Sequence, residues 1–425
     1  MTIAAYSRLL RSNRNVRLLW FAQLISEIGD WLYAVAIYSL ILEVTGSAKA
    51  VAFAFLLQVL PQTFFAPAAG VLNDRLSRRK LMLFADVARA VVTFCMLFAQ
   101  SDQATWLLYV LLFLETVFWS LFEPGRTSVI PNITSGPEES LVANSLSTLT
   151  WSVSLAFGSG LGGLLAASFG RNTVFLINAL SFLVSAFLIR SMRFKEPHLD
   201  NAPPFHASEL TRFTPIAEGA RYVRQDPRLL VTMFVKTGTA ILGANWIILP
   251  IYGERMFRVG SNTETAGMLG MSLLMCSRGI GALIGPLLAG VWSGHNEARM
   301  RYGIVIAFAI ASAGYLTVSQ ATSLVVVCFA IAVAHSGGSI AWVFSTTLLQ
   351  KYTDDKFRGR VFSAEFAFLM AALSVVTFTG GTLVDAGLPV RSLAFAVGIL
   401  ILIPGLLWIA AQKMWRNEAV KRSSP

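Results

Sequence analysis

GVLNDRLSRRK, residues Gly70 to Lys80, crowds four cations (Arg75, Arg78, Arg79 and Lys80) around one aspartate, Asp74, between two long apolar runs. A connection this short joins elements that are packed neighbours. A loop this basic between apolar runs of membrane length marks the side of a bilayer on which it lies. The turn therefore points to a helical membrane bundle.

The composition agrees. The chain has 425 residues, 55% hydrophobic and only 13% charged. A soluble domain is nearer a quarter charged, so there is too little polar surface to cover a water-soluble body of this size. Apolar stretches of about 18 residues or more recur, each long enough to cross the hydrocarbon of a bilayer as a helix. Helices satisfy their own backbone groups in lipid, and the alternating pattern of a membrane β-barrel is absent. The net charge is +11, but the cations gather in loops beside apolar spans. That pattern indicates a lipid bilayer as partner and argues against nucleic acid. Cys95, Cys276 and Cys328 all lie in apolar stretches, which does not suggest a disulfide framework. Arg8, Arg11, Arg14 and Arg17 precede an apolar run too long for the core of a cleavable signal.

Twelve spans are expected, at 18–43, 50–72, 81–100, 104–126, 141–167, 172–190, 229–252, 264–291, 302–320, 322–349, 361–384 and 390–412. One set of loops and tails holds nearly all the cations, including Arg126 and the basic tail with Lys413, Arg416, Lys421 and Arg422. The other set holds only Lys49, Arg171, Arg255, Arg258 and Arg391. This asymmetry predicts that both termini are cytoplasmic. The one long connection divides the spans six and six. The expected organisation is an N-terminal lobe at 1–190, a linker at 191–228, a C-terminal lobe at 229–412 and a tail at 413–425. Within the linker, Pro197, Pro203 and Pro204 precede SELTRFTPIAEGARYVRQDP (208–227). This piece reads as an amphipathic helix on the membrane surface, or else as a solvated linker. The halves echo each other at an offset of about 220 residues: AAGVLNDRLSRRK at 68–80 is placed like LAGVWSGHNEARM at 288–300. Weak internal repetition across two six-span bundles is the mark of a two-lobed transporter.

At this point GVLNDRLSRRK resembles the loop 2–3 motif of the major facilitator superfamily, Gly-x-Leu-x-Asp-Arg-x-Gly-Arg-Arg/Lys. Gly70, Leu72, Asp74, Arg75, Arg78 and Arg79 match, and Ser77 replaces the second glycine. LLQKYTDDKFRGRVFSAEF and EGARYVRQDPRLL resemble the branch of siderophore exporters and macrolide or multidrug efflux pumps. The resemblance covers essentially the whole chain. It implies twelve transmembrane helices in two pseudo-symmetric six-helix lobes, a multi-pass protein of a bacterial inner membrane, and a monomer that needs no cofactor. It also implies that Gly70, Asp74, Arg75, Arg78 and Arg79 form a cytoplasmic gate. A carboxylate is favoured at a helix N-terminus, and the start of span eleven near Gly359–Phe362 is one such place for Asp74. The same cations could instead simply anchor topology.

Three buried acids are the candidates for proton coupling. Glu27 and Asp30 lie three residues apart in span one and share a helix face with Gln23, Ala34 and Tyr38. Glu115 falls mid-span four, on a stripe with Trp119. An ionised side chain at mid-bilayer costs about 2.5–3.5 kcal/mol even on the lenient scale, so such residues face a cavity or a partner. Burial also favours the protonated form of a carboxyl, which is what proton exchange requires. The alternative is static pairing with a buried cation such as Arg89, Lys236 or Arg278. Asp86 and Arg89 read as a structural pair, and Glu365 as a member of a cytoplasmic network. Span four of the superfamily often carries a cavity arginine, where this sequence offers Glu115 instead.

Lys236 and Arg278 are candidate ligands for an anionic substrate, or ion-pair partners for the acids. Tyr38, Trp119, Trp151, Trp246 and Trp342 complete the substrate-cavity candidates, since the resemblance places their spans around the central cavity. GSGLGG (158–163) has dinucleotide-fingerprint spacing but lies inside a span and follows no strand. It reads instead as close helix packing through Gly158 and Gly162, as do Gly281 and Gly285. His335-Ser-Gly-Gly reads as a flexible helix break, not a metal site. The sequon at Asn132 falls on the predicted cytoplasmic side. No Walker motif or catalytic triad spacing is present, so an enzyme is not expected. The expected function is proton-coupled export of a small amphipathic compound, a drug or siderophore, by alternating access. The rivals are a symport importer, a lysolipid flippase, and a non-transporting receptor or assembly protein.

Overall fold

The computed structural model describes residues 3–101, 104–200, 214–260, 266–294 and 296–423. Among them there are helices and turns and no strand, and twelve helical stretches are long and apolar enough to cross a membrane. Arg212, Pro203, Pro204 and the 208–213 part of the amphipathic stretch lie outside the described residues, as do the side chains of Lys356, Lys413, Arg416, Lys421 and Arg422.

In chain order the helices are α1 (Ile3–Ser12), α2 (Arg14–Thr45), α3 (Ala48–Arg75), α4 (Arg78–Cys95), α5 (Thr105–Ile133), α6 (Pro137–Phe169) and α7 (Arg171–Arg190). There follow α8 (Thr214–Val223), α9 (Pro227–Thr239), α10 (Asn245–Ile251), α11 (Ala266–Ser293), α12 (Glu297–Gln320), α13 (Leu324–Tyr352), α14 (Asp355–Asp385), α15 (Val390–Leu400) and α16 (Leu402–Ser423). Local chemistry sets the junctions. Asn13, Ser47 and Ser77 cap α2, α3 and α4 by accepting from the backbone N–H three residues on. Gly46, at φ 64°, ends α2 in the left-handed conformation that a glycine adopts without penalty. The turn after α3 is therefore a capped start of α4, not a loose loop.

Span seven is not one regular helix. Between α9 and α10 the chain tightens into a 3-10 turn at Ala240–Ala244, and after α10 it widens into a π turn at Tyr252–Met256. The Thr377 hydroxyl donates to the carbonyl of Gly243 at 3.1 Å and Asn245 Nδ2 donates to that of Leu242 at 2.6 Å, so carbonyls at the change of pitch keep partners. Pro250 inside α10 removes one donor from the ladder.

The chain folds as two compact units. The first comprises α1 to α7 with the stretch Gly253–Cys276; the second comprises α8 to α10, the remainder of α11 from Ser277, and α12 to α16. In the first unit α2 packs on α6 and α7, α5 packs on α3 and α4, and α4 packs on α7. The α2–α6 approach depends on missing side chains. A Cβ on Gly158 would stand 2.7 Å from Trp31 Cβ, and one on Gly162 would stand 2.9 Å from the Leu32 carbonyl oxygen. In the second unit Gly281 and Gly285 press in the same way on the backbone of Ala332 and Ser336.

Two expectations are corrected here. The helix α13 runs unbroken through His335-Ser-Gly-Gly, because those glycines admit neighbouring groups and do not interrupt the ladder. And the amphipathic linker piece does not offer a bare apolar face to lipid. Val223, Ala220 and Tyr222 of α8 pack with Leu229, Met233, Val361 and Phe357, and the ring of Tyr222 stacks on Phe357 at 4.2 Å. Glu218 pairs with Arg360 at 3.1 Å beside it. The apolar face is covered by protein, a use that amphipathicity alone does not distinguish from membrane contact.

Candidate functional site

The buried charges of the first unit meet where α2, α4, α5 and α7 converge. Arg89 of α4 is the hub, with its side chain 2% exposed. Its Nη2 donates to both oxygens of Asp30 on α2, at 2.9 and 2.8 Å. Its Nε donates to Oε1 of Glu115 on α5 at 2.8 Å. The guanidinium lies 4.0 Å from the ring centroid of Phe182 on α7. Asp30 is 26% exposed and Glu115 is 10% exposed, so Asp30 is the acid nearer to solvent. Asp86, one turn before Arg89 on α4, accepts from the Ser185 hydroxyl at 2.6 Å, while its Oδ1 is buried with no hydrogen-bond partner among the described residues.

This arrangement corrects the structural pairing of Asp86 with Arg89: the guanidinium ion-pairs with Asp30 and Glu115, and Asp86 leans on α7. It also brings two of the three candidate acids together on one cation. Glu27 belongs to a separate network. Gln23 Nε2 donates to Glu27 Oε1 at 2.7 Å and to the Ser147 carbonyl at 3.1 Å. Gln23 Oε1 accepts from Arg126 Nη1 at 3.1 Å, and Arg126 also donates to Glu123 and to the Ser147 hydroxyl. Glu27 Oε2 is buried with no hydrogen-bond partner among the described residues.

Arg126 is the residue that sequence reasoning misplaced. The cation pattern places it in a loop, yet α5 continues past it to Ile133, and Arg126 is buried. The signal was there: Val129, Ile130 and Ile133 keep a helical apolar spacing beyond Arg126. Pro124 and Pro131 hid it. Span four thus carries both the buried acid, Glu115, and a buried arginine.

In the second unit Lys236 of α9 donates to Glu365 of α14 at 2.7 Å, both buried. Its ammonium stands 4.6 Å from the Trp342 ring centroid and 5.6 Å from that of Phe362. Glu365 is therefore the acid partner of Lys236. Arg278 lies over Trp246, 4.6 Å from the ring centroid. Tyr315 and His335 form a buried hydrogen-bonded pair at 3.2 Å. Of the remaining aromatic candidates, Trp31 meets Trp151 edge-on at 5.6 Å, Trp119 is half-buried, and Tyr38 is fully buried.

The basic turn is held mostly by its own unit. Arg78 donates to the carbonyls of Asn73 at 3.2 Å and Ser128 at 2.9 Å. Arg79 donates to the Met192 carbonyl at 3.1 Å, and Glu196 accepts from the Ser77 hydroxyl at 2.6 Å. Asp74 is 73% exposed and reaches Arg78 only at 3.6 Å. Gly70 has open space around it. Among the described residues no group of three His, Cys, Asp or Glu side chains is placed to hold a metal ion.

A polytopic helical bundle with ion-paired charges buried inside each unit is a membrane transporter by architecture. The chain belongs to the Major Facilitator Superfamily, whose family model matches residues 19–364. It is 26% identical over 398 residues to the proposed bacilysin exporter BacE of Bacillus amyloliquefaciens, covering 92% of this chain and 93% of that one. It is 25% identical over 372 residues to Macrolide efflux protein A of Streptococcus pyogenes, covering 84% and 86%. Its fold matches that of a POT family transporter crystallised in complex with a thioalcohol conjugated peptide, with a TM-score of 0.72 at 12% identity over 94% of this chain and 96% of that one. The protein is a multi-pass membrane transporter of this superfamily.

Proposed function

We propose that this transporter exports a small amphipathic compound across a bacterial inner membrane in exchange for protons. Both termini face the cytoplasm in this reading, and the lobes at 1–190 and 229–412 alternate access to a midplane site. The observation that carries the proton assignment is the charge balance around Arg89. Two carboxylates (Asp30 and Glu115) share the one Arg89 guanidinium, and a third, Asp86, is buried one helical turn away on α4 with no ion pair to a cation of its own among the described residues. An uncompensated buried charge is expensive, so the cluster is stabilised by holding a proton. Asp30, the acid nearer to solvent, is the point at which that proton enters and leaves. When it is protonated, the bond to Arg89 Nη2 weakens and the guanidinium turns fully to Glu115. The geometry thus couples proton occupancy to the grip between α2 and α4.

Glu27, with Gln23 and Arg126, supplies a second responsive network on the same face of α2. Lys236, Arg278, Trp119, Trp151, Trp246 and Trp342 are the proposed substrate contacts, and exposed Asp74 with Arg75 forms the movable part of the gate. The efflux relatives support outward transport, and the apolar, aromatic composition supports an amphipathic substrate. The test uses everted membrane vesicles with a preset proton gradient and a macrolide as probe. Adding the macrolide should dissipate the gradient in vesicles carrying the wild-type chain, and Asp30→Asn with Glu115→Gln should abolish the response. An intact response in the double variant would sink the proton assignment.

A further inference from the structure

Six cations collar one end of the first unit. Arg8 and Arg11 lie on α1, Arg14 starts α2, Arg190 ends α7, and Arg193 and Lys195 follow it; all six are exposed. We infer that this collar is a docking site for the headgroup of an anionic phospholipid, with the acyl chains lying along the helices that the cations terminate.

The cations are gathered by the fold. Leu9 and Leu10 of α1, which packs on α2 and α6, belong to the apolar cluster that also holds Val16, Leu19, Ile133, Ile189, Met192 and Phe194, so α1 and the end of α7 border one cluster. Asn15, at the start of α2, fastens that helix to the stretch after α7: its Nδ2 donates to the Arg193 carbonyl at 2.7 Å and its Oδ1 accepts from the Arg193 N–H at 3.0 Å. Asn132 Nδ2 holds the Lys195 carbonyl at 3.2 Å. These bonds use side-chain amides and backbone groups only, so the charged ends stay outside.

None of the six cations enters an ion pair among the described residues. The nearby acids are few. Glu139, in the first turn of α6, accepts from the Ser135 N–H, and Glu196 is taken by Ser77 and Arg79; Glu138 and Asp200 remain exposed. The contrast with the Gly70–Lys80 turn is informative. There Arg78 and Arg79 spend their donors on carbonyls of their own unit, whereas here the donors are presented outward. A topology signal needs only cations on the correct side. It does not need them ordered around one spot with two reciprocal amide bonds.

The apolar surroundings choose the occupant. Phe187 precedes Arg190 by one helical turn on α7, Phe21 follows Arg14 by two turns on α2, and both rings are exposed. A phospholipid satisfies both chemistries, with its phosphate at the cations and its chains along the rings. A soluble acidic protein or a free anion would gain nothing from Phe21 and Phe187. Basic pockets at helix ends on the cytoplasmic side are suited to anionic headgroups, at several-fold affinity per cation.

The experiment uses the purified full-length chain in micelles containing equal phosphatidylglycerol and phosphatidylethanolamine, with retained lipid counted by native mass spectrometry. The wild type should retain phosphatidylglycerol preferentially. Arg11→Gln with Arg193→Gln should lower that preference on the order of tenfold. Arg221→Gln with Arg224→Gln, which removes the same charge from α8 and the turn after it, should leave it unchanged. Equal losses in both variants, or no preference in the wild type, would overturn the site. If the first variant does not fold, Asn15→Ala keeps every charge and should still weaken retention by releasing Arg193; unchanged retention there overturns the proposal as well.

Discussion

Replacing Arg89 by methionine removes the only cation that ion-pairs with Asp30 and Glu115 among the described residues. Deleting one partner of a buried pair costs about 3–5 kcal/mol, because the remaining charge is stranded. Asp30, at 26% exposure, recovers part of its hydration, so Glu115, at 10%, dominates and the lower end, about 3 kcal/mol, is expected. The variant also loses the contact of the guanidinium with Phe182, about 1 kcal/mol. The two contributions separate in a second background. With Asp30→Asn and Glu115→Gln already present, no charge is stranded, and Arg89→Met should cost mainly the ring contact. The coupling is then about 3 kcal/mol, at the upper end of the range for residues in one network. It can be read from unfolding of the purified chain in mixed micelles by titration with dodecyl sulfate. Equal costs in the two backgrounds, with coupling under about 0.5 kcal/mol, would show that Arg89 does not compensate these acids.

Other outcomes follow from the packing and the caps. Gly158→Leu should force α2 and α6 apart and cost about 1–3 kcal/mol, whereas Gly290→Ala, where a Cβ meets nothing within 4 Å, should be neutral or slightly stabilising in the same unfolding assay. Lys236→Met should destabilise more than Lys236→Met with Glu365→Met, since the single change strands Glu365. Asp226 caps α9 and is held below the usual carboxylate range by its hydrogen bonds from Arg228. A depressed folded value means that its stabilisation is present above the ordinary carboxylate pKa and is lost as pH falls through the folded value. Asp226→Ala should therefore cost about 1 kcal/mol at neutral pH, and the gap from wild type should close in acid, as followed by proteolysis of the junction between α8 and α9.

Much of this architecture is written in hydrophobicity, which acts locally. Each expected span overlaps a helical stretch among the described residues, and within Gly70–Lys80 the break between α3 and α4 narrows to Leu76 and Ser77. The acids could be picked out as costly, but not their partners. Arg89 lies 59 residues from Asp30 and 26 from Glu115, and only the packing of three helices decides that it reaches both. Arg126 was lost for a different reason. Proline near a helix end is a stop signal, yet neighbouring helices in a bundle tolerate it, so a helix continued where composition suggested a loop. The linker helix shows a third limit: an apolar stripe specifies that something covers it, and α14 rather than lipid does so. The glycines after His335 could serve as a hinge or as a contact surface, and the choice belongs to α12, which packs against them.

The central claim is that the cluster of Asp30, Arg89 and Glu115 holds the proton that transport moves. Difference infrared spectroscopy of the chain in proteoliposomes, stepped from acid to alkaline pH, tests it without knowledge of the substrate. The wild type should show a protonated carboxyl band that disappears as the pH rises, shifted or lost in Asp30→Asn and retained in Glu43→Gln, a change at an exposed acid. A spectrum without a protonated carboxyl, or a band that Asp30→Asn and Glu115→Gln leave untouched, would contradict the account.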